Sequence, residues 1–423
     1  MNLSERDLRY NWHPYTQHKT ARLHPAIVKG KDALLWDENG KEYIDAIASW
    51  WVNPYGHSNQ VIADAIYQQL TTLEHVLFGG FTHDKAVLLS EKLMEILPSN
   101  QHKIFYSDNG STAVEVAIKG ALQYFYNKGA KRSKIIAFED AFHGDTFGAM
   151  AASGITFYTE AFRDSLLEVV RVPVPTIGNE QRALETLKKL VATNEYAAFI
   201  FEPLVLGAAG MIMYAPEILD QMIAVCNQHN VFTIADEVMT GFGKTGKTFA
   251  TDYLTNQPDM MCLSKALTGG TIPMAITTFT QEIYNGFFDD DVNKALFHGH
   301  TFTANPTGCA AALASIDLLQ TDEMQAHIVR VNQSHLAFET KIKQHPKVKT
   351  TRVLGVIFAL EIKTNSAASY YGTLRNKLYN FFIENGIILR PVGNIIYILP
   401  PYVITNDQLQ KVYQTIENVL EIV

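Results

Sequence analysis

The sequence predicts an α/β chain built on a largely parallel sheet, followed by a smaller α+β unit. Three observations predict it. Short apolar runs, such as Val231-Phe-Thr-Ile-Ala235 and Met260-Met-Cys-Leu263, stop abruptly at polar residues. Strands buried on both faces of a parallel sheet read this way. Segments with apolar residues at helical spacing separate the runs, and from about residue 320 the character changes to charged helices and short strands.

Composition sets the outer limits. The 423 residues are 47% hydrophobic and 18% charged, the balance of an ordered globular chain with length for two or three domains. A net charge of −8 argues against nucleic acid or an anionic membrane as the main partner. Cys226, Cys262 and Cys309 are widely spaced, which suits reduced thiols in a cytoplasm rather than a disulfide framework. The opening MNLSERDLRYNW has no apolar signal core, and no run reaches the ~18 apolar residues of a membrane helix.

The elements follow in order. Trp12-His-Pro-Tyr15-Thr-Gln17 is aromatic and polar without a period and reads as a docking contact. Residues 26–51 read as short strands with a hairpin turn at Asn39-Gly40. Ser49-Trp50-Trp51 closes that run. Neighbours on a strand alternate faces, so one Trp is left to wall a pocket. Helical spacing appears at Val61, Ala65, Ile66 and Leu70, and again over 86–97 up to Pro98, with a Gly-Gly loop at 78–83 between them. Lys103-Ile-Phe-Tyr106 reads as a strand, and Val114, Ala117, Ile118, Ala121 and Phe125 mark one face of a helix. Between them Gly110 and Ser111 open the helix, where free amides and the helix dipole suit a phosphate; a Ser cap without ligand is the alternative. The Lys134–Phe138 strand leads to Phe142, His143 and Asp145, and an aromatic placed there can stack on a flat ring. Tyr196–Phe201 ends in Glu202.

The next stretch carries the chemistry. Residues 231–235 end in Asp236 and Glu237, and residues 260–263 end in Ser264 and Lys265. Ligands of open α/β sheets sit beyond the carboxyl ends of the strands, so an Asp and a Lys 29 residues apart meet in one crevice. The pair suits pyridoxal phosphate: the amine bonds to the cofactor aldehyde, and the carboxylate keeps the pyridine nitrogen protonated. Gly241-Phe-Gly-Lys-Thr-Gly246-Lys247-Thr248 matches a nucleotide phosphate loop letter for letter. Its context is poor, because five residues separate it from the strand and only a weak apolar pattern follows. His298 and His300 have no third ligand at metal spacing. Residues 305–319 read as an Ala-rich helix and residues 353–362 as a strand. A helix near 374–385 ends at Gly386, two short strands flank Gly393-Asn394, and a last helix starts near 406. Arg390, set among apolar residues, suits bidentate binding of a substrate carboxylate.

The run ADEVMTGFGKTGKTFA with PDMMCLSKALTGG resembles the signature of the class III (omega) pyridoxal-phosphate aminotransferases. The resemblance extends along nearly the whole chain. It takes in WHPYTQ at 12–17, SWW at 49–51, FGGFTH at 78–83, SDNGSTAVEVAIK at 107–119, HGDTFGAM at 143–150, FHGHTFTANPTGCAAA at 297–312 and LRPVGNIIYILPPY at 389–402. It implies pyridoxal-phosphate transferase fold type I, with a mostly parallel seven-stranded sheet in a large domain over 56–315. A small α+β domain would come from 1–55 and 316–423. It further implies a cytoplasmic homodimer with shared active sites, acting on a keto acid with S-adenosylmethionine or lysine as amino donor; Tyr397 points to the former. Lys265 would hold the cofactor and shuttle the proton, Asp236 would pair with the pyridinium nitrogen, and Gly110 and Ser111 would bind the phosphate with Thr301 of the other subunit. Phe142 would stack on the ring, with His143, Glu202 and His300 beside the cofactor. Tyr15, counted among the catalytic residues, would shape the substrate site with Trp50, Trp51, Asp145, Arg390 and Tyr397, and Gly299 would line the pocket of the other subunit. Three positions depart from the family pattern: Phe142 replaces the usual Tyr, His300 the usual Pro, and the stretch from Val52 to His57 is short.

Overall fold

Seven strands form the central sheet of the computed structural model, which describes residues 1–154, 156–364 and 373–423. Their order is Gln101–Ser107, Ala275–Thr280, Met260–Leu263, Phe232–Asp236, Tyr196–Phe201, Lys134–Phe138 and Val169–Val172. Only Ala275–Thr280 runs against its neighbours. The mostly parallel seven-stranded sheet of fold type I is therefore present.

The unbroken apolar runs are explained by what covers them. Ile234, Met260 and Cys262 face the Gly110–Asn127 helix, packing with Val114, Ala117, Ile118 and Ala121. Their neighbours Ala235, Met261 and Leu263 face the opposite way, into a core shared with Leu219, Met222 and Leu184. Alternate residues thus serve two cores, and both faces of the strands are covered. The three cysteines are buried and free. No helix among the described residues is long and apolar enough to cross a membrane.

The two ends of the chain meet in a second sheet. Ile27–Lys31, Leu34–Asp37 and Glu42–Asp45 form an antiparallel meander, and Ile387–Ile388 adds to its edge in parallel with Glu42–Asp45. A third sheet of Val348–Leu354, Ile357–Ile362 and Ile395–Ile398 lies beside the Asp322–Ile342 helix. The single strand expected over 353–362 is instead the turn and second arm of a hairpin. Gly355 makes that turn at φ +57°, and a Cβ there would collide with the backbone of Thr245 and Gly246.

The Trp pair also departs from expectation. The strand stops at Asp45, and Ala48, Ser49, Trp50 and Trp51 all take positive φ, +46°, +49°, +82° and +70°. Left-handed backbone costs an L-residue about 1–2 kcal/mol, so this four-residue turn is stored strain. It changes the geometry as well: both indoles can now enter one cleft.

Candidate active site

Asp236 is the last residue of its strand and is almost wholly buried. Its Oδ2 lies 2.7 Å from His143 Nδ1, and its Oδ1 accepts the Val238 amide at 3.1 Å. The register pairs Asp236 with Cys262, which places Lys265 three residues further on, in the Lys265–Thr268 turn. Burial pushes the Lys265 amine down to about 8, against the opposing pull of the Asp236 and Glu202 carboxylates. Lys265 Nζ stands 4.7 Å from the centre of the Trp51 ring.

Glu202 ties two loops beneath the amine. Its Oε1 accepts the Phe142 amide at 3.0 Å and its Oε2 the Gly207 amide at 2.9 Å. Burial raises this carboxyl to about 7, opposed by His143 and aided by Asp236.

A cavity of about 480 Å³ opens over these groups, lined by Gly110, Ser111, Phe142, His143, Asp236 and Lys265 among others. Asn109 caps the helix that begins at Gly110, its side chain accepting from the Thr112 amide at 3.0 Å. Ser111 Oγ meets Thr146 Oγ1 at 2.8 Å. A Cβ on Gly110 would lie 2.6 Å from Val238, so only glycine lets the helix start this close.

A second cavity of about 300 Å³ adjoins the first and shares Trp51, Val52, Phe142 and Lys265 with it. Its other walls include Tyr15, Trp50, Asp145, Tyr158, Arg390 and Tyr397. The Tyr15 hydroxyl donates to Asp145 Oδ2. The Arg390 guanidinium stands 4.1 Å over the Trp50 ring, and its Nε is buried without a hydrogen bond among the described residues. Trp51 meets Tyr397 edge-on at 6.0 Å.

One chain therefore gathers Lys265, Asp236, Gly110, Ser111, Phe142, His143 and Glu202 around the first cavity, and Tyr15, Trp50, Trp51, Asp145, Arg390 and Tyr397 around the second. It does not bring in Gly299, His300 or Thr301, which line neither cavity. Sequence reasoning missed Tyr158, whose ring sits 5.4 Å from Tyr15 and 6.0 Å from Phe142; nothing in its surrounding sequence marks it. The phosphate-loop match is occupied by its own chain. The Gly243 and Gly246 amides donate to Thr248 and Gly243 carbonyls, and Lys247 Nζ bonds the Asp252 carbonyl at 2.8 Å.

The family model for aminotransferase class-III matches residues 15–420. The chain is a class III aminotransferase. Among curated relatives, the adenosylmethionine-8-amino-7-oxononanoate aminotransferase of Synechococcus elongatus is 43% identical, covering 97% of this chain and 98% of that protein. Its namesake in Staphylococcus aureus is 35% identical over 99% and 98%. Among solved structures, the enzyme of that name from Methanocaldococcus jannaschii superposes with a TM-score of 0.93 at 33% identity, covering 98% of each chain. An omega transaminase from Pseudomonas jessenii, solved in complex with PMP, gives 0.93 at 27% identity, covering 100% of this chain and 98% of its own.

The cofactor of this aminotransferase is pyridoxal 5′-phosphate. The residues present fit it. An amine and a buried carboxylate face one cavity, a glycine holds a helix N-terminus open beside it, and His143 Nε2 is buried without a partner among the described residues.

Proposed function

We propose that this enzyme aminates 8-amino-7-oxononanoate to 7,8-diaminononanoate, a step of biotin synthesis, with S-adenosyl-L-methionine as donor. The reading is carried by the second cavity, where Arg390 waits over Trp50 within reach of the space that Lys265 shares. A carboxylated keto acid needs a cation that the protein has not already paired.

Once bound, the cofactor supplies an electron sink for the carbanion at the substrate carbon. Lys265 would anchor it through Nζ and, once released, would carry the substrate proton, for which the neutral amine is required; burial favours that form from about pH 8 upward. Asp236 would hold the proton on the ring nitrogen, with His143 fixing that carboxylate at 2.7 Å. The amides of the Gly110–Asn127 helix N-terminus and the Ser111 hydroxyl would hold the phosphate. Phe142 would pack on the ring, without the hydroxyl that the family's Tyr offers. Tyr15 and Asp145 orient the substrate amine, and Arg390 takes its carboxylate.

A homodimer with shared active sites is part of the same proposal. Its support is the surface segment carrying Gly299, His300 and Thr301, flanked by exposed Phe297 and Phe302. His75 packs on Phe302 at 5.3 Å, so the neighbouring loop with exposed Leu77 and Phe81 extends that face. In a dimer this face would carry Thr301 and His300 to the other subunit's phosphate and Gly299 to its substrate. A cytoplasmic setting agrees with the free, buried cysteines.

The test is product formation from 8-amino-7-oxononanoate by the purified enzyme, with each donor in turn. Diaminononanoate from S-adenosylmethionine is expected. Product from lysine alone moves the donor assignment, and no product from either donor overturns the substrate.

A further inference from the structure

Asp45 is a carboxylate for which the reaction has no use. It ends the Glu42–Asp45 strand and is completely buried. Oδ1 accepts the Ile47 amide at 3.1 Å. Oδ2 accepts the Ser49 amide at 2.7 Å and the Ser49 hydroxyl at 3.0 Å, and meets His57 Nε2 at 2.9 Å. The Asn53 side-chain amide lies 3.0 Å from His57 Nδ1. Donation there leaves the imidazole proton on Nε2, pointing at Asp45. A simple turn cap uses one or two such bonds; this carboxylate is filled on both oxygens.

What those bonds enclose is the left-handed turn of Ala48, Ser49, Trp50 and Trp51. None of the four is glycine, and such backbone persists only where its surroundings over-determine it. Within the turn, Trp51 N donates to Ile47 O at 2.8 Å and Val52 N to Ala48 O at 2.9 Å. The geometry sends two consecutive indoles into one cleft, Trp50 under Arg390 and Trp51 under Lys265. A strand could not do this, because its neighbours face opposite ways. The turn is also tied to both partners. Asp45 pairs with Ile388, two residues before Arg390, and a Cβ on Gly270, in the loop after Lys265, would lie 2.6 Å from Val52 O.

We infer that Asp45 and His57 are positioning residues, which hold a strained left-handed turn so that Trp50 and Trp51 stand against Arg390 and Lys265. They act through the indoles. The kinetic consequence rests on the substrate site proposed above; the structural consequence does not.

The experiment uses the holoenzyme with Asp45→Asn, alone and combined with Ser49→Gly. The carboxamide keeps one acceptor and turns an NH₂ group toward donors that needed an oxygen. The near-ultraviolet circular dichroism of the packed aromatics should fall, and KM for the keto acid should rise about tenfold with kcat changed less than about threefold. Glycine takes positive φ without strain, so adding Ser49→Gly should restore both signals to within about threefold of the parent enzyme. Because glycine at φ +49° steadies the fold by itself, both signals are read well below each variant's thermal midpoint, where a general loss of stability leaves them unchanged. If Asp45→Asn gives no folded holoenzyme, His57→Ala with and without Ser49→Gly is read by the same signals. An unchanged dichroism and KM in a folded variant, or a defect that Ser49→Gly leaves in place, overturns the inference. The dichroism needs no substrate, so failure to aminate the keto acid would count against the function alone.

Discussion

Replacing Arg390 with Ala tests the substrate site where the structure gives a magnitude. The guanidinium rests 4.1 Å over Trp50. None of the ion pairs among the described residues includes it. Truncation therefore strands no protein anion, and the fold loses only the cation–π contact, about 1 kcal/mol at a half-open site. The substrate carboxylate loses a two-pronged partner. Breaking a desolvated charge pair costs about 2–5 kcal/mol, and a cavity open to solvent belongs at the lower end. About 2–3 kcal/mol is a loss of ~30- to ~150-fold in kcat/KM for the keto acid. Arg390→Lys should recover part of it, since an ammonium restores charge without the planar fork. The assay is initial product formation with 8-amino-7-oxononanoate varied at a fixed donor concentration. A specificity constant unchanged in Arg390→Ala refutes the assignment.

Lys265→Ala should abolish turnover and keep the far-ultraviolet dichroism of the parent, because it removes an amine whose charged form burial disfavours; residual transamination would contradict this. Cofactor uptake by the cofactor-free chain should accelerate as pH rises through about 8, where Lys265 loses its proton; a rate flat across that range would count against it. The stability sign agrees: between about 8 and the ordinary 10.5 the unfolded chain binds more protons at this lysine, so its contribution to stability grows with pH and vanishes in Lys265→Ala. Glu202 works the other way. Its folded value of about 7 exceeds the ordinary 4.5, so the folded chain binds more protons in that window and the contribution falls as pH climbs through it. At pH 8 Glu202→Gln turns an NH₂ group toward one of two backbone donors and should destabilise by about 1–3 kcal/mol; thermal melts that coincide with the parent would show that the two amides do not depend on the carboxylate.

Legibility followed how local each cause was. Asp236 and Lys265 could be placed in one crevice because each ends an apolar run, and strand direction does the rest. The edge strand Val169–Val172 escaped notice because Arg171 interrupts it. That guanidinium is spent on the carbonyls of Ala151, Ala152 and Ser153, at the end of the Phe147–Ala152 helix. Ala275–Thr280 went unread as well, three of its six residues being Thr. Its hydroxyls are absorbed by partners far along the chain, Thr277 by the Ala113 carbonyl and Thr278 by Gln101 Oε1. The left-handed Trp turn was hidden for a related reason. It depends on Asp45 and on His57 twelve residues later, and no local propensity favours it. Tyr158 reaches the substrate cavity by the path of the chain, with no pattern to announce it.

The proposed chemistry depends on one covalent bond, between the cofactor and Lys265. The chain offers a built-in control in Lys244, which is fully buried and which burial pulls down to about 7. It is enclosed, with Nζ on the Gly241 carbonyl at 3.2 Å, and lines neither cavity of the site. Borohydride reduction of the holoenzyme followed by peptide mapping should find the pyridoxyl group on Lys265 alone. The label on Lys244 or any other lysine, or on none, would contradict that attachment.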